Sequence, residues 1–190
     1  LFMESRDAES VKLFSNTYLA MRVAFFNELD NFCLENQIDA TNVIQGVSLD
    51  SRIGNYYNNP SFGFGGYCLP KDSKQLLQQF HDTPSHLIAS IQDSNEQRKI
   101  FLAQKIIDLG VKNVGVYKLA MKAGSDNSRD SSIFGIINIL IDAGINIFIF
   151  DDFLDEFTLT GATFINSLDN FIDKSDLIVT NRIDEKISIA

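Results

Sequence analysis

Between Asp7 and about Gln37 the chain carries neither proline nor glycine. Large apolar residues recur there at Phe14, Tyr18, Met21, Phe25, Leu29 and Phe32, the three-to-four spacing of a helix. A second stripe, Leu13, Ala20, Val23 and Phe26, widens the apolar surface. A helix of roughly 30 residues is about 45 Å long, more than a small domain needs. One that is apolar over so much of its circumference has to be covered on several sides. A second copy of the chain is the simplest cover, with burial inside one subunit as the alternative. A homodimer through the Asp7 to Gln37 helix is therefore expected.

The rest of the first half reads as shorter helices around a loop. One helix is expected over Thr41 to Val47. Residues 51 to 67, rich in Gly, Asn and aromatics, show no period and read as a loop. Pro70 suits the first position of a helix running to about His81, and Pro84 restarts another, Ser85 to Leu109, which Gly110 ends. Beyond Gly110 the pattern alternates: strand Val114 to Tyr117, helix Ser131 to Ala143 closed by Gly144, strand Ile145 to Phe150, helix Leu168 to Lys174, strand Leu177 to Thr180. Short apolar strands alternating with helices indicate a parallel sheet covered on both faces. The expected fold is an α-helical dimerisation region, residues 1–92, followed by a small three-layer α/β Rossmann-like domain, residues 93–190. Ligands of such a domain sit at the carboxyl ends of its strands.

Composition narrows the function classes. A net charge of -9 over 190 residues argues against nucleic acid or an anionic membrane as partner, since both need clustered Lys and Arg. With only Cys33 and Cys68, no signal-peptide pattern and no apolar run of about 18 residues, the chain reads as reduced and cytoplasmic. No metal site is expected. Because Leu1 is not an initiator Met and a helix starts within a turn of it, the chain reads as a piece of a longer protein.

The densest segment is Tyr57 to Asp72. Gly63, Gly65 and Gly66 permit positive φ and close approach to a ligand. Cys68 follows, at an expected helix N-terminus, where backbone N–H groups and the helix dipole favour a thiolate and so a nucleophile. A lone cysteine is more often a small buried apolar residue, as Cys33 between Phe32 and Leu34 is expected to be. Cys68 differs in having glycines, a proline and an acid for neighbours. A dinucleotide fingerprint is excluded here, because G-x-G-x-x-G from Gly63 needs glycine where Cys68 stands and no apolar strand precedes it. His81 and His86 form no pair with Cys68, which leaves a cysteine hydrolase unsupported.

Several ordered stretches resemble one family. Ala8 to Ala20 (AESVKLFSNTYLA), Asp50 to Gly54 (DSRIG), Gly63 to Asp72 (GFGGYCLPKD), Gly115 to Lys122 (GVYKLAMK), Ser125 to Ser132 (SDNSRDSS) and Thr180 to Arg182 are similar to the UDP-glucose dehydrogenases, particularly the bacterial type. The resemblance implies oxidation of the sugar C6 alcohol of UDP-glucose to UDP-glucuronate with two NAD, through a thiohemiacetal and a thioester on Cys68. It implies further that Lys12 stabilises developing oxyanions, that Asn16 binds an oxygen or the attacking water, and that Asp72 orients or activates that water as a general base. Tyr57 and Ser61 would hold diphosphate and sugar, the Gly63 to Gly66 backbone, Gly65 included, would approach the glucosyl unit, and Arg52 would reach the sugar from a neighbouring subunit. Lys122 would bind the nucleotide and Arg129 would lie near the cofactor. The family's NAD-binding fold is not found in this sequence, so NAD would be bound mainly by a domain absent from this chain, which alone would bind the sugar nucleotide without turnover. Two alternatives stay open: a dehydrogenase of UDP-N-acetylmannosamine or GDP-mannose, and a non-catalytic nucleotide-binding dimerisation module with an unreactive Cys68.

Overall fold

The computed structural model describes residues 2–119, 131–152, 159–181 and 187. The chain divides into two compact units, residues 1–99 and 100–190.

The first unit is helical. Helix α1 runs Ser5–Glu35, 31 residues without a break. Of its second stripe the chain buries Leu13, Ala20 and Phe26, with Val23 partly buried, and Thr17, Ala24, Asn27 and Cys33 are buried as well. Ala20 and Ala24 are small enough to admit Phe64 and Ile91, and these four residues form the unit's core, flanked by Met21, Val23, Leu69 and Ile88. Burying a side chain the size of Phe64 or Ile91 contributes about 1.5–3 kcal/mol. The broader stripe faces outward, with Phe14, Tyr18, Phe25 and Phe32 each more than half exposed.

Asp39 caps helix α2, Ala40–Ser48, its carboxylate accepting from the N–H groups of Thr41 and Asn42. The expected loop follows. Helix α3, Cys68–Gln79, packs against α1. Its start corrects the placement of Pro70, which stands third in the helix rather than first. The reason is that no N–H of a helix's first turn has an intrahelical acceptor, so proline is tolerated throughout that turn. Helix α4, His86–Asp108, begins after Pro84 and passes from the first unit into the second.

The second unit holds a four-stranded parallel sheet in the order β3-β2-β1-β4. Its elements are β1 Asn113–Tyr117, α5 Ile133–Asp142, β2 Asn146–Phe150, β3 Ala162–Phe164, α6 Leu168–Lys174 and β4 Leu177–Thr180. On one face Tyr117 and Phe150, paired in register, pack against Phe171 of α6. Their alternating neighbours Val114, Val116, Ile147 and Ile149 are buried on the opposite face. Both faces are thus covered, as a parallel sheet requires. Strand order reverses at β1, whose carboxyl end lies beside that of β4. Strand β3 was not expected from the sequence. Among the described residues no helix is long and apolar enough to cross a membrane.

Candidate active site

The uninterrupted helical periodicity of α1 puts Lys12 and Asn16, four apart, on one face. Both point at α3. The Lys12 ammonium and the Asn16 amide each donate to Asp72 Oδ2 at 2.5 Å. Asp72 in turn lies four residues after Cys68, the first residue of α3, so the carboxylate and the thiol share a helix face. Cys68 is exposed, whereas Cys33 is buried as expected.

Burial is unequal across this cluster. Asp72 is 0% exposed and the Lys12 side chain 57%. The Lys12 hydrogen bond holds the Asp72 carboxyl below the usual carboxylate range, against desolvation, with Asn16 adding in the same direction. Reciprocally, the hydrogen bond to Asp72 raises the Lys12 ammonium above its ordinary value, with the charges of Asp72, Cys68 and Glu9 as smaller causes and desolvation opposing. Lys12 is therefore a fixed cation. Asp72 Oδ1 has no hydrogen-bond partner among the described residues, and Lys71 Nζ stands 3.8 Å from it.

The other expected site residues divide into three groups. Ser61 lies in the glycine loop, its hydroxyl donating to the Gly63 carbonyl at 3.0 Å, and Gly65 is half-buried nearby. Gly63 at φ 141° and Gly66 at φ 76° adopt conformations that side-chain-bearing residues rarely take. Arg52 is not joined to this cluster. It forms an exposed pair with Asp50, Nη2 to Oδ2 at 2.5 Å, and that pair raises the guanidinium and lowers the carboxyl. Tyr57 is likewise exposed, with φ 51°. Lys122 and Arg129 lie outside the described residues.

Sequence reasoning missed a polar framework behind the loop. Arg98, nearly buried, donates to the Ser61 carbonyl at 3.0 Å, to Asp30 at 2.6 Å and to Asn31. Burial pushes its guanidinium down and Asp30 pushes it back up. Asn95 binds the backbone of Phe64 and Asn27 that of Ser61. The available signal was weak: Asn27 interrupting the apolar side of α1, and Asn95 and Arg98 one turn apart on α4.

Among the described residues no glycine-rich turn leads from a strand into a helix, and the glycine loop enters α3 from coil. Helices α1 and α3 bring an exposed cysteine to the same helix face as a buried carboxylate that an ammonium and an amide hold.

The model of the central domain of the UDP-glucose/GDP-mannose dehydrogenase family matches residues 6–97, and that of the family's UDP binding domain matches residues 115–188. The chain belongs to the UDP-glucose/GDP-mannose dehydrogenase family. Within this family it is 47% identical to a UDP-glucose 6-dehydrogenase of Campylobacter jejuni, over 98% of this chain and 48% of that protein. It is 44% identical to one of Streptococcus pneumoniae, with the same shares covered. A solved UDP-glucose dehydrogenase from Pyrobaculum islandicum superposes with a TM-score of 0.86 at 25% identity, over 99% of this chain and 50% of that one. The chain thus spans about half the length of these relatives, and the family's central and UDP-binding domains fall in that half.

Proposed function

We propose that this chain is the substrate-binding and dimerising part of a UDP-glucose 6-dehydrogenase and carries its nucleophile, Cys68. The observation that carries the reading is the convergence of Lys12 and Asn16 on buried Asp72, one helical turn from an exposed Cys68. The identity to two UDP-glucose 6-dehydrogenases supports UDP-glucose as the sugar nucleotide.

Each group has a task at the aldehyde level. The Cys68 sulfur adds to the carbonyl carbon, an S–C bond forms, and the π pair moves to oxygen beside the Lys12 ammonium, which stabilises the charge where it develops. At the thioester a water adds to the carbonyl carbon and the thiolate leaves. Asp72, held anionic, orients that water and takes up its proton as general base, while Asn16 fixes the carboxylate. Ser61 and Tyr57 contact diphosphate and sugar, the backbone at Gly65 faces the glucosyl unit, and Lys122 and Arg129 contact the nucleotide and cofactor. NAD, held mainly by residues outside this chain, supplies hydride acceptance. The exposed stripe Phe14, Tyr18, Phe25 and Phe32 supports a homodimer through α1, from which Arg52 of one copy reaches the sugar bound by the other.

Calorimetry tests the reading. The chain is expected to bind UDP-glucose more tightly than UDP-N-acetylmannosamine or GDP-mannose, and to form no NADH from UDP-glucose and NAD. Tighter binding of either competitor overturns the substrate. NADH production by this chain alone overturns the assignment of NAD binding to residues elsewhere.

A further inference from the structure

The two helices behind the glycine loop hold it by its backbone. Arg22 Nε donates to the Tyr56 carbonyl at 2.8 Å, and Asn27 Oδ1 accepts the Ser61 N–H at 2.8 Å. Arg98 Nε donates to the Ser61 carbonyl at 3.0 Å. Asn95 makes the fullest contact: its Oδ1 accepts the Phe64 N–H at 2.7 Å and its Nδ2 donates to the Phe64 carbonyl at 3.1 Å. Asn95 and Arg98 are both 4% exposed, one turn apart on α4.

The Phe64 contact falls where the chain is least constrained by itself. Phe64 stands between Gly63 and the pair Gly65-Gly66, and glycine backbones lose the most freedom on ordering. The Phe64 ring is anchored in the core with Ala20, Ala24 and Ile91. An anchored ring fixes a Cα position without fixing the adjoining peptide planes, of which the one before Phe64 is also held by the Ser61 hydroxyl on the Gly63 carbonyl. A side-chain amide that engages both the N–H and the C=O of one residue removes that rotation, because it supplies one acceptor and one donor in a plane. Arg98 performs the same service at the other end of the segment, where it also meets Asp30 and Asn31.

We propose that Asn95 is a positioning residue for the glucosyl unit: by locking the peptide planes around Phe64, it makes the adjoining Gly65 and Gly66 backbone present fixed hydrogen-bonding groups to the sugar hydroxyls. The proposal rests on the sugar-facing reading of the loop given above. Asn95 itself touches no substrate. Its effect is on the part of binding that distinguishes a UDP-hexose from UDP, since the uridine and diphosphate are not what the glycines are placed to read.

The test compares dissociation constants for UDP and for UDP-glucose, by calorimetry on the whole chain, in the wild type, Asn95→Leu and Asn95→Asp. Leu removes both amide contacts at similar volume. Asp keeps the acceptor for the Phe64 N–H and sets an oxygen against the carbonyl where the donor stood. The expected result is that UDP binds each protein within about twofold, while UDP-glucose binds Asn95→Leu about five- to tenfold more weakly, the worth of a lost hydrogen bond or slightly more, and binds Asn95→Asp more weakly than wild type as well. If circular dichroism shows Asn95→Leu to be unfolded, Asn95→Asp carries the comparison alone. Variants that keep the wild-type ratio of the two constants, or that lose UDP and UDP-glucose equally, overturn the proposal, the latter being what a purely structural asparagine gives. A wild-type chain with no preference for UDP-glucose over UDP sinks the sugar-facing reading itself, and this one with it.

Discussion

Lys12 and Asp72, sixty positions apart in sequence, meet at 2.5 Å with the carboxylate wholly buried and the ammonium more than half exposed. The two partners are therefore not equivalent. Removing Lys12 leaves a buried anion with Asn16 as its remaining side-chain hydrogen-bond donor among the described residues, whereas removing the charge of Asp72 leaves a cation that water can solvate. Lys12→Ala is expected to lower the urea midpoint of the first unit more than Asp72→Asn does. Equal midpoints, or the reverse order, would contradict the arrangement.

The same pair fixes a pH dependence. The folded Asp72 carboxyl lies below its usual range, chiefly through the Lys12 hydrogen bond, so its stabilisation is full above the unfolded value of about 3.9 and is lost as pH falls through the folded value. Lys12 is raised, so its share persists below the unfolded lysine value of about 10.4 and is lost only as pH rises through the folded one. Thermal melts of wild type and Asp72→Asn should therefore differ by a constant amount from about pH 5 to about pH 8 and converge below about pH 4. A gap as wide at about pH 3 as at neutrality would refute this assignment of the shift.

Cys68 should be labelled by iodoacetamide on the order of 100-fold faster than Cys33, because reaction at a buried thiol waits for local opening. Burial alone explains that difference. The informative readout is protection: saturating UDP-glucose is expected to slow labelling of Cys68 at least about tenfold and leave Cys33 unchanged. Labelling of Cys68 that is indifferent to UDP-glucose favours the non-catalytic module.

The outward stripe on α1 predicts an assembly. Phe25 and Phe32 are 58% and 62% exposed, so replacing either by Glu costs the isolated subunit little. In a dimer through α1 the same change buries an unpaired charge. Sedimentation equilibrium should give about twice 21.3 kDa for wild type and the single-chain mass for Phe25→Glu/Phe32→Glu, with unchanged circular dichroism. A monomeric wild type at micromolar concentration ends this reading.

The sequence disclosed what local periodicity encodes. α1 and α6 and the three longer strands fell where apolar spacing put them, and the four-residue spacing of Lys12 and Asn16 put both on the face of α1 that meets Asp72. It did not disclose β3, where Ala162, Thr163 and Phe164 give three residues and no apolar run, and where pairing to β2 supplies the order. Nor did it disclose the loop clamp. Asn27, Asn95 and Arg98 are polar residues on helices, indistinguishable from a solvated face until the fold turns them inward. Which apolar stripe of α1 faced inward was also undecidable locally, since Phe14 and Phe26 are equally hydrophobic. The small residues Ala20 and Ala24 decided it by allowing Phe64 to approach.

The second unit offers an independent check through Gly115, at the middle of β1 and paired to Phe148 and Ile178. A Cβ there would come within 2.8 and 2.9 Å of the Phe171 ring and also strike the Ser175 hydroxyl. Phe171 is fully buried between Tyr117 and Phe150, and cannot retreat without opening that core. Gly115→Ala is therefore expected to destabilise the second unit by about 1–3 kcal/mol, the usual cost of overpacking, although alanine is a modest residue and β1 is a regular strand. The effect should stay local: the melting of residues 113–180, followed by amide hydrogen exchange, shifts down while amides of α1 and α3 keep their protection. A Gly115→Ala protein as stable as wild type would show that Phe171 does not lie over β1 in this way.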